Sequence, residues 1–369
     1  MTQHPLGGLT ARQFLRRFWQ KRPLFVRGAL PGFRDMLDQR ALAALAARGD
    51  VESRLVERRG GRWELTHGPI PRERLRRTGN FGWTLLVSGV NLHLPGAERL
   101  LRRFDFLPQA RLDDVMVSYA APRGGVGPHA DSYDVFLVQG SGRRLWRLAR
   151  PGRFRLVEGS PLRQIAGFRP EQEFVAKPGD LLYLPPGWGH DGVALEPCFT
   201  YSIGLRAPRG AELGAAFLDW LHERGLPDAT YRDPELAPAT HPARIPPDMV
   251  GFAARALGRI RWTRSDVARF AGEYLSTPKP HVVFRRSRGR RALARCEVRL
   301  DPKTQMLYSG RRFFINGETL SNVGSRDALA LRDLADRRHL HGERLARPPL
   351  AGLIYEWHRL GYLHLERRE

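Results

Sequence analysis

The sequence feature that most restricts the fold of this chain is a set of metal-ligand side chains that must come from different strands. His129 and Asp131 stand two residues apart, and His190 follows a Pro-Pro-Gly turn much further along the chain. Residues i and i+2 of a β-strand point to the same face, so His129 and Asp131 can converge on one point. Two neutral imidazoles and one carboxylate leave one side of an ion open, as in non-heme Fe(II) oxygenases. The pattern therefore predicts a metal site inside a β-rich fold.

The residues around these ligands predict short antiparallel strands separated by tight turns. Glycine-rich or proline-rich turns separate the predicted strands, which span residues 115–119, 134–138, 143–148 and 181–184. Such strands, with ligands near the first and the last of them, describe a jelly-roll or cupin barrel. Because side chains alternate along a strand, Arg144 shares a face with Trp146 and could anchor a cosubstrate there. A closing strand is predicted to present Thr200 and Ser202 to the same cavity.

Several segments, taken together, resemble the JmjC-domain ribosomal oxygenases of bacteria. The clearest likeness lies in the metal-binding region, in residues 118–129, 133–136 and 140–146. It extends over nearly the whole chain through residues 14–24, 51–55, 231–234 and 314–318. Within that family, the chain looks most like the ribosomal protein arginine hydroxylases that act on the sixteenth protein of the large subunit. Ala110 is a departure, because the family usually has a tryptophan at this position.

The resemblance implies a 2-oxoglutarate-dependent oxygenase that uses Fe(II) and O₂. It implies that His129, Asp131 and His190 are the catalytic iron ligands. It also implies that Arg144 binds the far carboxylate of 2-oxoglutarate and that Ser118 assists it. A planar guanidinium matches a carboxylate through two parallel charge-assisted hydrogen bonds, which supports the role of Arg144.

The same resemblance implies that the substrate is a ribosomal protein of the large subunit, hydroxylated on an arginine at the β-carbon. A ribosomal protein histidine hydroxylase is the nearest alternative, and a JmjC lysine demethylase would share the iron ligands and the cosubstrate. A cupin isomerase and a non-enzymatic winged-helix binding protein are rivals of other classes, but neither would use Arg144 together with a complete ligand set. Tyr133 and Asp134 are candidates for holding a cationic substrate side chain.

The order of the predicted elements indicates an α+β protein with three domains. The first is a JmjC catalytic domain, a double-stranded β-helix barrel with an N-terminal helical buttress, in residues 1–208. A helical segment follows in residues 209–277, with Ser265 as a predicted N-cap. A basic winged-helix domain ending in a short hairpin is predicted for residues 278–369. By resemblance, the helical segment makes a homodimer.

The net charge and the apolar content of the chain indicate which kinds of molecule it can bind. The formal net charge is +23, with 61 basic against 38 acidic residues, which favours a polyanionic neighbour such as RNA. A GC-rich genome can also produce this excess, because only four of the basic residues are lysines, so RNA contact stays open. No apolar run of about eighteen residues and no secretory signal is found, which predicts a cytoplasmic protein without membrane contact. Cys198 and Cys296 are too far apart in sequence to suggest a paired metal motif.

Overall fold

A computed structural model describes residues 4–287, 289, 292–321 and 323–367, and these residues form two compact units. The first unit combines the described residues of 1–207, 278–304 and 336–369, and the second unit those of 208–277 and 305–335. The three domain ranges inferred from the sequence stay a prediction, and their outer limits, residues 1 and 369, lie outside the described residues.

The helices in the N-terminal half of the first unit pack against its sheet. They are α1 (Ala11–Arg17), α2 (Gln39–Ala46), α3 (Arg72–Arg76) and α4 (Pro95–Arg102). Thr10 caps α1, because its side chain accepts a hydrogen bond from the backbone N–H of Gln13. Phe14 of α1 is fully buried, and its ring meets that of Tyr183 edge-on with 4.9 Å between the centroids. The N-terminal helices therefore pack against the barrel.

The predicted strands correspond to elements of the first unit. The strands are β1 (Leu24–Val26), β2 (Ser53–Arg59), β3 (Arg62–His67), β4 (Trp83–Val87), β5 (Leu112–Ala120), β6 (His129–Ala130), β7 (Val135–Gln139), β8 (Arg144–Ala149), β9 (Gln172–Ala176), β10 (Leu181–Leu184), β11 (Gly189–Ala194), β12 (Cys198–Leu205) and β13 (Cys296–Leu300). The four strands predicted around the ligands are β5, β7, β8 and β10. All residues of β10 are buried. This is expected, because a short continuous apolar run between two turns is typical of a buried strand.

Two facing antiparallel sheets form the barrel. The larger sheet has the order β1-β10-β7-β12-β5-β4-β2-β3, and the smaller sheet has the order β6-β11-β8-β9. Phe136, Tyr183 and Tyr201 are fully buried in the core on the larger sheet. This arrangement confirms the predicted double-stranded β-helix barrel. The β2–β3–β4 extension of the larger sheet was not predicted.

The second unit contains the predicted helices and a small sheet. Its elements are α5 (Gly210–His222), α6 (Pro247–Gly258), α7 (Arg264–Ser276), most of α8 (Ser325–Arg337), β14 (Met306–Ser309), β15 (Arg312–Ile315) and β16 (Glu318–Leu320). Ser265 is not the N-cap of α7, and that prediction is wrong. Thr263 is the cap, because its side chain accepts from the N–H of Asp266 while the Asp266 carboxylate accepts from the N–H of Thr263. This reciprocal pair satisfies two free donors of the first turn, which Ser265 inside the helix cannot do.

The end of the chain adds β17 (His339–His341), α9 (Leu350–Leu360) and β18 (Leu363–Arg367) to the first unit. The predicted terminal hairpin is wrong, because residues 353–357 are helical and β18 pairs with β13. The buried residues Leu350, Ile354 and Trp357 have the i, i+4, i+7 spacing of a helix face. None of the helices in the described part of the chain is long and apolar enough to span a membrane.

Candidate metal and cosubstrate site

The two sheets of the barrel line a cavity of about 780 Å³. Side chains of the larger sheet form one wall, and side chains of β8 and β11 form the other. The loop between β8 and β9 closes part of the cavity with Phe154, Leu156 and Ile165. The described residues thus place the predicted ligands in a half-open cavity between the two sheets and not on a flat surface.

His129, Asp131 and His190 meet at one place on the wall of this cavity. One possible ligand atom from each lies within 4.8 Å of the other two. His190 Nε2 is 3.7 Å from Asp131 Oδ2, and the centroids of the two imidazoles are 4.1 Å apart. The pairing of β6 with β11 sets His129 opposite His190, and Asp131 directly follows β6. One strand register therefore brings His190 to His129 and Asp131, which stand much earlier in the sequence.

Backbone carbonyls orient both imidazoles. His129 Nδ1 lies 2.9 Å from the carbonyl oxygen of Gly127, and His190 Nδ1 lies 3.0 Å from that of Trp188. A carbonyl oxygen only accepts, so each Nδ1 donates its proton and each Nε2 keeps a free lone pair. Burial, and then the neighbouring His129, lower the pKa of His190, which keeps this imidazole neutral at neutral pH. A neutral imidazole held through its other nitrogen is the form that ligates metal ions.

Arg144 brings a buried guanidinium to the same cavity. It is 5% exposed, and it lies on β8 opposite Ala194 of β11. Its Cζ atom is 5.7 Å from the ring centroid of Trp146, as expected for residues on one strand face. Its Nε and Nη2 atoms have no hydrogen-bond partner among the described residues. Since a buried unpaired cation is costly, a carboxylate within the cavity is the partner that this side chain requires.

Small hydroxyl side chains line the wall that the larger sheet contributes. Ser118 of β5 stands opposite Thr200 of β12, and both residues are almost fully buried. Ser202, two residues further along β12, lines the same cavity, as the alternation along this strand predicts. Ser118 therefore lies in the cavity, and its part in binding a cosubstrate stays a prediction.

Sequence reasoning missed two carboxylates that also line the cavity. Asp113 and Asp114, here called the acid pair, lie at the start of β5, and the Nζ atom of Lys279 is 3.0 Å from the first and 3.3 Å from the second. Two adjacent aspartates at the start of a strand carry no ligand-binding signal by themselves. Only the fold brings Lys279 to them, so no local pattern could have identified this group.

Of the two residues beside the ligand pair, Tyr133 lines the cavity and Asp134 is used elsewhere. Asp134 is fully buried, and its carboxylate accepts hydrogen bonds from Tyr183 Oη at 2.6 Å and from Arg111 Nη2 at 3.1 Å. These bonds connect parts of the barrel interior. The prediction that Asp134 holds a cationic substrate side chain is therefore wrong.

Family models and curated proteins match this chain. A JmjC domain model matches residues 99–213, and a ROXA-like winged helix model matches residues 259–364, which overlap the predicted winged-helix range 278–369 and begin inside the predicted helical segment. The chain is 42% identical over 238 residues to the ribosomal protein uL16 3-hydroxylase of Escherichia coli (strain K12), covering 63% of this chain and 62% of that protein. It is 37% identical over 212 residues to a probable ribosomal oxygenase of Haemophilus influenzae, covering 56% and 52%. The chain thus spans less than two thirds of these curated relatives.

Solved structures match over a greater length. The X-ray structure of YcfD from E. coli has a TM-score of 0.84 at 32% identity, covering 97% of this chain and 99% of that one. A structure of YcfD, a ribosomal oxygenase from E. coli, in complex with cobalt and 2-oxoglutarate has a TM-score of 0.81 at 33% identity, with the same coverage. These matches include the metal-ligand region and the winged helix.

Proposed function

Because this chain belongs to the family of JmjC-domain ribosomal oxygenases, we propose that it is a 2-oxoglutarate-dependent oxygenase that hydroxylates a side chain of a ribosomal protein. One observation carries the proposal. His129, Asp131 and His190 converge beside the buried, unpaired guanidinium of Arg144. A metal site alone would not need the arginine, and a carboxylate site alone would not need the ligands.

The residues of the cavity fit both groups that this reaction requires. Two imidazole nitrogens and one carboxylate oxygen form the ligand set of non-heme Fe(II), so His129, Asp131 and His190 would hold the iron. Arg144 would bind the carboxylate of 2-oxoglutarate that is remote from the metal, and Ser118 would add a hydroxyl from the opposite sheet. When bound, Fe(II), 2-oxoglutarate and O₂ supply the oxidation that places one oxygen atom on a substrate C–H bond.

The chain's own residues contribute position and exclusion of water. The carbonyls of Gly127 and Trp188 keep both imidazoles in the metal-binding tautomer. Leu137 and Trp146 are 7% and 6% exposed and make the cavity wall apolar between the charged groups. In such surroundings, fixed charges act on one another more strongly than in water, and a side chain held near the metal reacts in one geometry.

An arginine is the target side chain that the cavity favours, and by resemblance its β-carbon is the reacting atom. The acid pair lines the same cavity as the iron ligands, and carboxylates bind a guanidinium in a planar, two-bonded arrangement. A histidine is mostly neutral at neutral pH, so it would gain less from two carboxylates. A lysine demethylase would also accept a cation, but its product would lose a methyl group.

Mass spectrometry of large-subunit ribosomal proteins tests this function. After incubation with the protein, Fe(II) and 2-oxoglutarate, we expect one arginine to gain the mass of one oxygen while succinate accumulates. His129→Ala should give neither product, because it removes one metal ligand.

Each other outcome separates one alternative. Oxygen on a histidine would indicate the histidine hydroxylase, and loss of a methyl group would indicate the demethylase. Succinate without any modified ribosomal protein would overturn the substrate and leave the oxygenase chemistry. If neither product forms while iron is bound, the oxygenase proposal fails.

We also propose that the helical segment, residues 209–277, mediates a homodimer. Helix α6 buries none of its residues within the described chain. Four apolar residues on α6 or next to it are more than half exposed: Ile245 at 68%, Val250 at 57%, Leu257 at 68% and Trp262 at 54%. Exposed apolar surface of this kind marks interaction sites, which supports a second copy as the partner.

The double variant Val250→Asp, Leu257→Asp is expected to separate the dimer. Burial of each side chain in an interface contributes about 1.5–3 kcal/mol, so the dimer dissociation constant should rise roughly a hundredfold or more. Light scattering after size-exclusion chromatography, over a range of protein concentrations, measures this dissociation constant. Leu329→Asp is a control, because Leu329 is 59% exposed but lies on α8. A wild-type protein that is monomeric at high concentration would contradict the proposal.

Contact with RNA is supported by the formal net charge of +23 alone and stays a prediction. The cytoplasmic location likewise stays a prediction from the sequence.

A further inference from the structure

Lys279 reaches the acid pair from a segment far along the chain. Its Nζ atom donates to Asp113 Oδ2 at 3.0 Å and to Asp114 Oδ2 at 3.3 Å. The side chain is 32% exposed, and it lines the same cavity as the iron ligands. A cation belonging to the protein therefore contacts both carboxylates of the acid pair.

The carboxylates of the acid pair are held in place by other bonds as well. Asp114 Oδ2 also accepts from the backbone N–H of Gly89 at 2.8 Å, and Asp113 Oδ1 accepts from Arg206 Nε at 3.3 Å. Burial raises the pKa of Asp114, and the charge of Lys279 opposes that rise. Burial lowers the pKa of Lys279, but the negative charges of Asp114 and Asp113 together have the larger effect and raise it. The ammonium is therefore charged. If Lys279 left, the acid pair would stay in position and would lack a mobile counter-charge.

The identity of this residue is itself informative. Only four of the 61 basic residues are lysines, so arginine is the usual cation of this chain. A guanidinium would bind the acid pair in a rigid two-bonded fork, whereas an ammonium is a compact charge on a flexible stem. A lysine can therefore give up its place at these carboxylates more readily than an arginine could.

We propose that Lys279 determines specificity by occupying, in the free protein, the place that a cationic substrate side chain takes at Asp113 and Asp114. A guanidinium replaces the ammonium and keeps the acid pair neutralised with better geometry. A neutral side chain leaves Lys279 in place and gains nothing from the acid pair. The cavity thus selects for charge by exchange of one cation for another. This inference rests on the proposed function, in which the cavity accepts the substrate side chain.

Ligand binding to the full-length protein tests this exchange without any turnover. The probe is N-acetylarginine amide, and N-acetylcitrulline amide is its neutral match; calorimetry at mildly alkaline pH gives both dissociation constants. Lys279→Met keeps the apolar stem and removes the competing charge, so it should bind the arginine probe roughly tenfold or more tightly than wild type. Citrulline binding should not change. Lys279→Arg should bind the arginine probe no more tightly than wild type.

Lys303→Met is the matched control, because Lys303 Nζ donates to the carbonyl of Val283 and not to a carboxylate of the cavity. It should bind both probes as wild type does. If Lys279→Met unfolds in circular dichroism, Lys279→Gln provides the same loss of charge.

Three results would overturn the inference. The first is unchanged or weaker binding of the arginine probe by the neutral variant. The second is an equal gain for citrulline, which would mean that only space had been opened. The third is no binding of arginine by any variant. Failure of the proposed function would appear in the ribosomal protein experiment, which does not depend on these affinities.

Discussion

Replacing His190 by alanine is expected to lower the rate of conversion of 2-oxoglutarate to succinate roughly a thousandfold or more. The residue is 4% exposed, and its Nδ1 proton is committed to the carbonyl of Trp188. Its Nε2 atom is therefore available to a metal, and among the described residues the group of possible metal ligands at Asp131 contains no histidine besides His129 and His190. Electron paramagnetic resonance of added Mn(II) would measure the loss of metal binding directly, and thermal unfolding would show that the variant is folded.

The control is His339→Ala. His339 Nδ1 lies 2.7 Å from Glu297 Oε1, and the side chain is half exposed on β17. This variant should keep both Mn(II) binding and succinate formation. If His190→Ala binds Mn(II) as tightly as the wild type, the ligand set assigned here is wrong.

Replacing Arg144 by lysine is expected to raise the KM for 2-oxoglutarate by roughly a hundredfold while changing kcat much less. A lysine keeps the charge but loses the second parallel hydrogen bond, and each charge-assisted bond contributes about 1.5–3 kcal/mol. It also leaves cosubstrate oxygen atoms unpaired inside a buried cavity. The measurement is the rate of succinate formation as a function of 2-oxoglutarate concentration.

Arg143→Lys is the matched control for this variant. Arg143 is the preceding residue in the chain, but its side chain is half exposed and pairs with Glu196 at 3.1 Å. The KM of Arg143→Lys for 2-oxoglutarate should stay within about twofold of wild type, because exposed ion pairs contribute little free energy. A fall in kcat at constant KM in Arg144→Lys would mean that Arg144 does not bind the cosubstrate.

The barrel and the convergence of His129, Asp131 and His190 could be predicted because their signals are local. A glycine-rich turn before His129, a Pro-Pro-Gly turn before His190 and alternating strands between them leave few ways to arrange the chain. Arg144 was found in the same way, since strand alternation alone places it on the face of Trp146. The resemblance to a family then supplied the cosubstrate, which no spacing of residues specifies.

The acid pair and Lys279 could not be predicted, because their meaning depends on distant contacts. Nothing near Lys279 in the sequence indicates that it reaches β5. Asp134 shows the opposite error, since closeness in sequence to Asp131 suggested a role that its buried bonds to Tyr183 and Arg111 exclude. At the C-terminus, apolar residues that fit a strand also fit the helix that forms.

The cross-strand pairing of His129 with His190 restricts how the sequences of related proteins can vary. A slip of β11 by one residue would turn every side chain of that strand to the opposite face, and His190 would leave the cavity. The turn at residues 185–188 sets this register, with Gly187 at a φ of +80°. Substitutions within the turn leave its length unchanged and keep the two histidines opposed. One inserted or deleted residue would separate them. A lineage of such proteins can therefore vary the other residues of this turn only while its length and the glycine at position 187 are kept.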